Sequence, residues 1–176
     1  MEQWVPLLGY PGYSISNLGK VRNDNRERVL TIIRLKTNYT YVGLVKDGIQ
    51  VNRSVSKLVS EAFLPKPALP SFTTPIHFDG DLSNCRVDNL DWRPRWFAIK
   101  HTRQFRIELP SYPDPVREIK TGETFQDSWK VVFRFGLLYM DLILSIFNKT
   151  YVFPTMQTYE WADQKVHNIS REKHGL

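Results

Sequence analysis

The sequence predicts an elongated, multi-module α+β protein. Short strand-like segments separated by tight turns fill residues 1–65, whereas apolar residues at helical spacing are concentrated near the C-terminus. Proline-rich stretches at 65–70 and 112–115 interrupt the chain and predict linkers between modules. With 176 residues and 41% hydrophobic content, the chain is long enough to build its own core and is not expected to be disordered.

Composition narrows the classes of protein that the chain can represent. A net charge of +6 gives a mild preference for polyanions. The single cysteine, Cys85, excludes a disulfide framework or a four-thiolate zinc site within one chain and predicts a cytoplasmic location. The N-terminus lacks a signal-peptide pattern, and the apolar stretch at 135–147 is too short for a bilayer, so no membrane partner is expected.

The positive charge is concentrated in particular parts of the sequence. Residues 1–70 carry ten Lys and Arg against five acids, whereas residues 111–176 carry eight of each. From Trp92 to Arg106, five cations alternate with aromatic residues and no acid occurs. Such a run is often a solvated helix whose aromatics face the core, but the lack of any acid favours a nucleic-acid surface.

Strand and turn signals organise the first 65 residues. Tyr13–Ser16 alternates as a strand does, and residues 39–45 alternate in the same way. Lys46-Asp47-Gly48 predicts a hairpin turn into a second strand over 49–55. Apolar residues at helical spacing then predict a short helix over 55–63, which ends before the prolines.

The middle of the chain gives weaker signals. Residues 71–92 are rich in turn residues, and the periodicity of residues 93–107 does not decide between helix and extended chain. Residues 116–125 predict a second hairpin, which turns at Thr121-Gly122-Glu123.

Two helices separated by a break are predicted near the C-terminus. Residues 128–135 form the first, with Ser128 as its N-cap, and Gly136-Leu137 separates it from a second helix over 139–147. This is the outline of a helix-turn-helix, although a helical hairpin that packs on a sheet gives the same pattern. The tail from residue 167 onward is expected to fray.

The most specific stretch runs from Pro75 to Trp92 and includes His77-Phe78-Asp79-Gly80 and Asn89-Leu90-Asp91-Trp92. It resembles the HNH motif of phage homing endonucleases, a ββα-metal hairpin. Residues 4–22 are similar to the small module that precedes many such domains, and the segment from 115 onward resembles their C-terminal DNA-binding helix-turn-helix. The resemblance therefore implies two domains: residues 1–110, with the HNH-like motif at 75–98 and a basic linker, and residues 111–176.

The resemblance also assigns roles to individual residues. His77 matches the general base that activates water, and Asn89 matches the residue that orients it. The family holds a divalent metal with two further side chains, which correspond here to Ile76 and Ala98. Because neither side chain has a lone pair, we expect no metal and no other cofactor. His77 and Asn89 are then vestigial, the chain is not an enzyme, and Asp79 serves only to cap its turn.

The function predicted on this basis is nucleic-acid binding without cleavage, by a monomeric phage protein in the host bacterial cytoplasm. The partner is structured RNA, such as ribosomal RNA, or duplex DNA; the lack of a dimer seam, which symmetric DNA regulators need, favours RNA. The candidate contacts are the cations Lys20, Arg22, Lys57, Arg86, Arg93, Arg95, Lys100, His101, Arg103 and Arg106.

Two alternatives stay open at this point. One is an active, metal-dependent, site-specific DNA nickase that uses His77 with an unusual metal shell. The other is a protein-binding module that acts on a host factor through an apolar face in the C-terminal third. The aromatic residues of that third are Phe133, Phe135, Tyr139, Phe147, Tyr151 and Phe153.

Overall fold

A computed structural model describes residues 1–110 and 112–163, and the predicted fraying of the tail lies outside these residues. The α+β class is confirmed. The helices are α1 (Val55–Phe63), α2 (Arg95–Gln104), α3 (Ser128–Phe135) and α4 (Tyr139–Asn148). The strands are β1 (Trp4–Pro6), β2 (Tyr13–Ser16), β3 (Val21–Asn23), β4 (Arg28–Val29), β5 (Ile33–Arg34), β6 (Thr40–Lys46), β7 (Ile49–Ser54), β8 (Thr74–His77), β9 (Leu90–Arg93), β10 (Val116–Glu118), β11 (Thr124–Phe125), β12 (Tyr151–Val152) and β13 (Gln157–Trp161).

The chain divides into two compact units, Met1–Ala98 and the segment from Ile99 on. The domain boundary at residue 110 stays a prediction. The end of α2 belongs to the second compact unit. There Gln104 Nε2 donates to the Leu137 carbonyl over 3.1 Å, and Gln104 Oε1 accepts from the Tyr139 N–H over 2.8 Å.

The first unit contains two antiparallel sheets, ordered β1-β2-β3-β4 and β5-β6-β7, together with α1. Helix α1 has the predicted bounds, and the Ser54 hydroxyl caps it by accepting from the Lys57 N–H over 3.5 Å. The apolar face of α1 meets the inward-facing residues of the strands. Members of this core include Ile15, Val21, Val42, Leu44, Leu58, Val59 and Leu90.

The hairpin of β6 and β7 turns at Asp47 and Gly48, as the sequence predicts. Both turn residues have positive φ, 51° and 78°, which matches the right-handed twist of the flanking strands. The register places Gly43 opposite Asn52 and Val45 opposite Gln50. Val42 and Leu44 face the core, so the residues that alternate with them lie on the opposite, outer face.

Strands β8 and β9 form a separate two-stranded hairpin, and α2 follows directly. This is the ββα arrangement that the resemblance implies for residues 75–98. The register pairs His77 with Leu90 and Ile76 with Asp91. Because successive side chains alternate between faces, His77 and Ile76 project from opposite faces of this hairpin.

The second unit places α3 and α4 beside a four-stranded sheet ordered β11-β10-β13-β12. The chain turns by 119° between the two helices, an angle typical of a helix-turn-helix. Gly136 ends α3 with φ 60°, where a residue without Cβ is favoured. Among the described residues, no single helix is long and apolar enough to cross a membrane.

The predicted N-cap of α3 is wrong by one residue. Asp127 caps the helix, because its Oδ1 accepts from the Lys130 N–H over 2.9 Å. Ser128 is buried inside the first turn, and its hydroxyl donates to the Tyr112 carbonyl over 3.2 Å. Asp and Ser both favour the N-cap position, so the sequence alone does not choose between Asp127 and Ser128. The tertiary contact of Ser128 decides which of them caps the helix.

Candidate nuclease site and nucleic-acid surface

The imidazole of His77 lies in the interior of the first unit and is 2% exposed. Its Nε2 is 3.9 Å from the sulfur of Cys85, which in turn is 3.1 Å from the hydroxyl of Thr40. Its Nδ1 has no hydrogen-bond partner among the described residues. One ring nitrogen of His77 is therefore buried and uncommitted, which is unusual for an interior polar atom.

The environment keeps this imidazole neutral. Burial lowers the pKa of His77 from 6.5 to about 4, while the negative charges of Asp79 and Asp81 oppose that shift. At neutral pH the ring therefore has a lone pair on one nitrogen, as a proton acceptor requires.

Asn89 supports the turn that follows His77. Its Nδ2 donates to Asp79 Oδ1 and to the Asn84 carbonyl, both over 2.9 Å, and its Oδ1 accepts from the Asp79 N–H over 3.1 Å. Asp79 also accepts from the Asp81 N–H over 2.9 Å, so the prediction that it caps the turn is confirmed. Asn89 thus positions His77 through the backbone of residues 77–79.

The two positions that correspond to the family's metal ligands do not suit a metal. Ile76 is 2% exposed and Ala98 is 6% exposed, and both belong to the apolar interior. Across residues 1–110 and 112–163, no group of three His, Cys, Asp or Glu side chains is arranged to hold an ion. The residues present therefore do not fit the family's metal shell, and we assign no chemical step to a metal.

Two of the predicted nucleic-acid contacts are interior residues. Arg93 is 4% exposed, forms an ion pair with Asp91, and lies 5.8 Å above the ring of Phe97. His101 is also buried and packs edge-on against Phe105. Burial of both follows from packing that the linear run of cations does not reveal.

The other predicted cations lie at or near the surface. Lys20, Arg22 and Arg86 form ion pairs with the nearby acids Glu2, Asp24 and Asp88. Lys57, Arg95, Lys100, Arg103 and Arg106 are also exposed. Nucleic-acid contact by these residues stays a prediction, since the structure contains no nucleic acid.

The structure reveals a further surface that the sequence pattern alone did not single out. We call it the outer face: the solvent-facing side of the β6–β7 hairpin, formed by Tyr41, Gly43, Val45, Gln50, Asn52 and Ser54. It is uncharged, and the exposed Lys36 precedes β6. Lys46, at the end of β6, alternates onto the other face, and its Nζ lies 5.9 Å from the centre of the Tyr10 ring. The hairpin turn predicted at Lys46-Asp47-Gly48 joins these two strands, so the alternation of Gln50 and Asn52 along the second strand was a usable signal.

Comparisons with known proteins agree with these features. Residues 2–45 match the NUMOD4 motif. Two Acanthamoeba polyphaga mimivirus proteins, described as uncharacterized HNH endonucleases L245 and L247, are 29% identical over 52% of this chain and 24% identical over 57%. The chain spans only 27% and 26% of the length of these relatives.

A solved structure also matches. It concerns DNA binding and cleavage by the HNH homing endonuclease I-HmuI, with a TM-score of 0.52 and 18% identity. The match covers 90% of this chain and 97% of that one. At this identity the likeness shows a shared fold.

A ββα hairpin that carries His77 and Asn89, combined with a NUMOD4 motif, is the arrangement that the sequence resemblance implies. The resemblance to HNH homing endonucleases is therefore confirmed: the chain shares the fold of one, and part of its sequence is similar to HNH endonucleases. The comparisons support a nucleic-acid partner, whereas RNA, the ribosome, a monomeric state, a phage source and the bacterial cytoplasm stay predictions.

The prediction that the chain is not an enzyme is wrong. The relatives are named as HNH endonucleases, and the fold is that of a DNA-cleaving homing endonuclease. The prediction rested on Ile76 and Ala98 alone. Two changed ligand positions do not by themselves remove an activity, and they leave His77 and its Asn89-supported turn in place.

Proposed function

We propose that this chain is an HNH-type endonuclease that binds duplex DNA and cleaves one of its strands. The observation that carries the proposal is the neutral, buried imidazole of His77, held by the Asn89-supported turn with its Nδ1 uncommitted. The similarity to relatives that are named HNH endonucleases supports the same conclusion.

The chemical role of His77 is that of a general base. A neutral imidazole accepts a proton from the water that attacks a phosphodiester, which raises the nucleophilicity of the oxygen. Because the pKa of His77 is about 4, the ring stays deprotonated at neutral pH. A pKa this low also makes the ring a weak base, so we expect slow strand cleavage.

The outer face supports DNA rather than RNA as the substrate. Strand β5 pairs only with Thr40 and Tyr41, so the rest of the β6–β7 hairpin is a two-stranded ribbon. Such a ribbon fits the major groove of B-form DNA, which is about 12 Å wide. The major groove of A-form RNA is deep and too narrow for side chains to read. The exposed Lys36 precedes β6 and can meet a phosphate at the margin of the ribbon.

A cleavage assay on selected DNA tests the proposal. Duplexes enriched from a randomised library by binding to the full-length chain are placed in supercoiled plasmids and incubated with Mg²⁺, with Mn²⁺ and with EDTA. We expect open-circular product from the wild type and at least a tenfold lower rate from His77→Gln. A structured RNA added as competitor should displace the DNA poorly.

The controls separate loss of chemistry from loss of folding. His77→Gln must retain the thermal melting profile and the DNA affinity of the wild type. Gln3→Ala, an exposed substitution in the same unit, should cleave as the wild type does. An intact plasmid under every metal condition, despite tight DNA binding, would overturn the cleavage part of the proposal.

A further inference from the structure

Two side-chain amides converge on the outer face. A Cβ built at Gly43 would lie 2.6 Å from Gln50 Nε2 and 3.6 Å from Asn52 Oδ1. The two amides therefore meet above a residue that has no side chain, in the middle of the hairpin. Any larger residue at position 43 would displace the Gln50 amide.

These amides are available to a ligand. Both side chains are exposed, and no hydrogen bond among the described residues uses either of them. Their neighbours on the outer face, Tyr41 and Val45, are uncharged, so no carboxylate competes for the amide donors or repels a phosphate backbone. The exposed Lys36 can hold the ribbon against a phosphate while the amides stay free for base edges.

We propose that Gln50 and Asn52 recognise adenine bases in the major groove, and this inference rests on the DNA-binding function proposed above. A carboxamide offers one donor and one acceptor side by side, and adenine presents the complementary N7 acceptor and N6 donor. Guanine presents two acceptors at the same edge, so it pairs poorly with an amide.

The spacing of the two amides agrees with the spacing of base pairs. Gln50 and Asn52 are two residues apart on one strand, and residues on a strand rise about 3.4 Å each. Base pairs along B-DNA also rise about 3.4 Å. Two amides that converge above Gly43 therefore reach adenines in neighbouring or next-neighbouring base pairs.

Gly43 serves this recognition by leaving room for the amides. Its φ is not among the positive values, so alanine fits the backbone there. The added methyl group would meet the mobile end of the Gln50 side chain and would move that amide aside. Gly43→Ala therefore perturbs base recognition with little effect on folding.

The experiment is a binding selection on duplexes with a randomised central segment, followed by affinity measurements on the enriched sequence. The full-length wild type should enrich adenine at one or two positions. Gln50→Ala and Asn52→Ala should each lose the preference at one position, with a loss of discrimination of roughly 5- to 150-fold. Gln3→Ala, an exposed amide outside the outer face, should select the wild-type sequence.

Two further variants sharpen the test. Gly43→Ala should weaken the adenine preference at the Gln50 position while keeping the wild-type melting temperature. Gln50→Glu should shift that position toward cytosine, whose N4 amino group donates to a carboxylate.

The outcomes distinguish this inference from the function on which it rests. Affinity for DNA with the same base preferences in all variants would overturn adenine recognition and leave the DNA-binding function intact. Absence of measurable affinity for any duplex would overturn both. Preference for guanine at these positions in the wild type would also contradict the proposal.

Discussion

Asn89 and Asp79 are joined by two hydrogen bonds that run in opposite directions. The Asn89 Nδ2 donates to Asp79 Oδ1 over 2.9 Å, and the Asp79 N–H donates to Asn89 Oδ1 over 3.1 Å. Asp79 lies two residues after His77, so this pair fixes the direction in which the backbone leaves the candidate base. The amide of Asn89 is therefore both a structural support and a positioning group.

Loss of the Asn89 amide should destabilise the first unit. Asn89→Ala removes three hydrogen bonds around the turn, and we expect the free energy of unfolding to fall by about 1–3 kcal/mol. Urea unfolding measures this change. Asn25→Ala, at an exposed position, should change the free energy by less than about 0.5 kcal/mol. Equal stability of the two variants would contradict the role of the turn.

The stability of the protein should depend on pH through His77. Its pKa is about 4 in the folded state and 6.5 without the fold, so between these values the unfolded chain binds a proton that the folded chain does not. Stability should therefore fall as the pH drops from about 6.5 to 4, by roughly 3 kcal/mol in total, and this contribution should be constant below that range.

The matched measurement compares the wild type with His77→Gln by urea unfolding at pH 7.5, 6 and 5. The difference in unfolding free energy between the two proteins should move in favour of the glutamine variant as the pH falls. A carboxyl group with a lowered pKa that does not interact with His77, such as Asp24, titrates in both proteins and cancels. Parallel pH profiles would show that the His77 imidazole is not held neutral by burial.

The exposed arginines of the basic run should contribute to DNA affinity through phosphates. Reversing the charge of Arg95 and Arg103 should weaken binding to all duplexes alike. It should also reduce the slope of log affinity against log salt by about 0.9 for each phosphate that is no longer neutralised. The control pair is Lys120→Glu with Lys149→Glu, which makes the same change of charge in the second half of the chain. Equal effects of both pairs would mean that the basic run is not the binding surface.

Arg93 should behave differently from its exposed neighbours. Its guanidinium donates to the Trp92 carbonyl over 2.8 Å and pairs with Asp91, so Arg93→Met should lower stability by about 1–3 kcal/mol. The salt dependence of DNA binding should stay that of the wild type. Weaker DNA binding with unchanged stability would instead identify Arg93 as a phosphate contact.

Much of the fold was accessible from local patterns. The Asp47-Gly48 turn, the bounds of α1 and the break at Gly136 depend on backbone preferences that a few adjacent residues carry. The N-cap of α3 was not accessible in the same way. Asp127 and Ser128 are both residue types that favour the N-cap position. The hydrogen bond from Ser128 to the Tyr112 carbonyl, a residue distant in sequence, leaves Asp127 as the cap.

In the candidate site, too, the sequence identified some features and tertiary contacts decided others. Its HNH motif named His77 and Asn89, because the residue types and their spacing are specific. The motif did not show that the His77 imidazole is buried beside Cys85, or that Asn89 acts on the turn. The apolar residues Ile76 and Ala98 stand at positions where the family has metal ligands. They led to the prediction that the chain is not an enzyme, which these two positions alone do not support.

The sequence by itself was sufficient for several strands, turns and helices and for the resemblance to HNH homing endonucleases, because turn residues, periodicity and motif spacing act over a few residues. Packing between distant segments settled the rest. It buried Arg93 and His101 within a run of otherwise exposed cations. Burial depends on which distant segments pack together, and no short stretch of sequence contains that information.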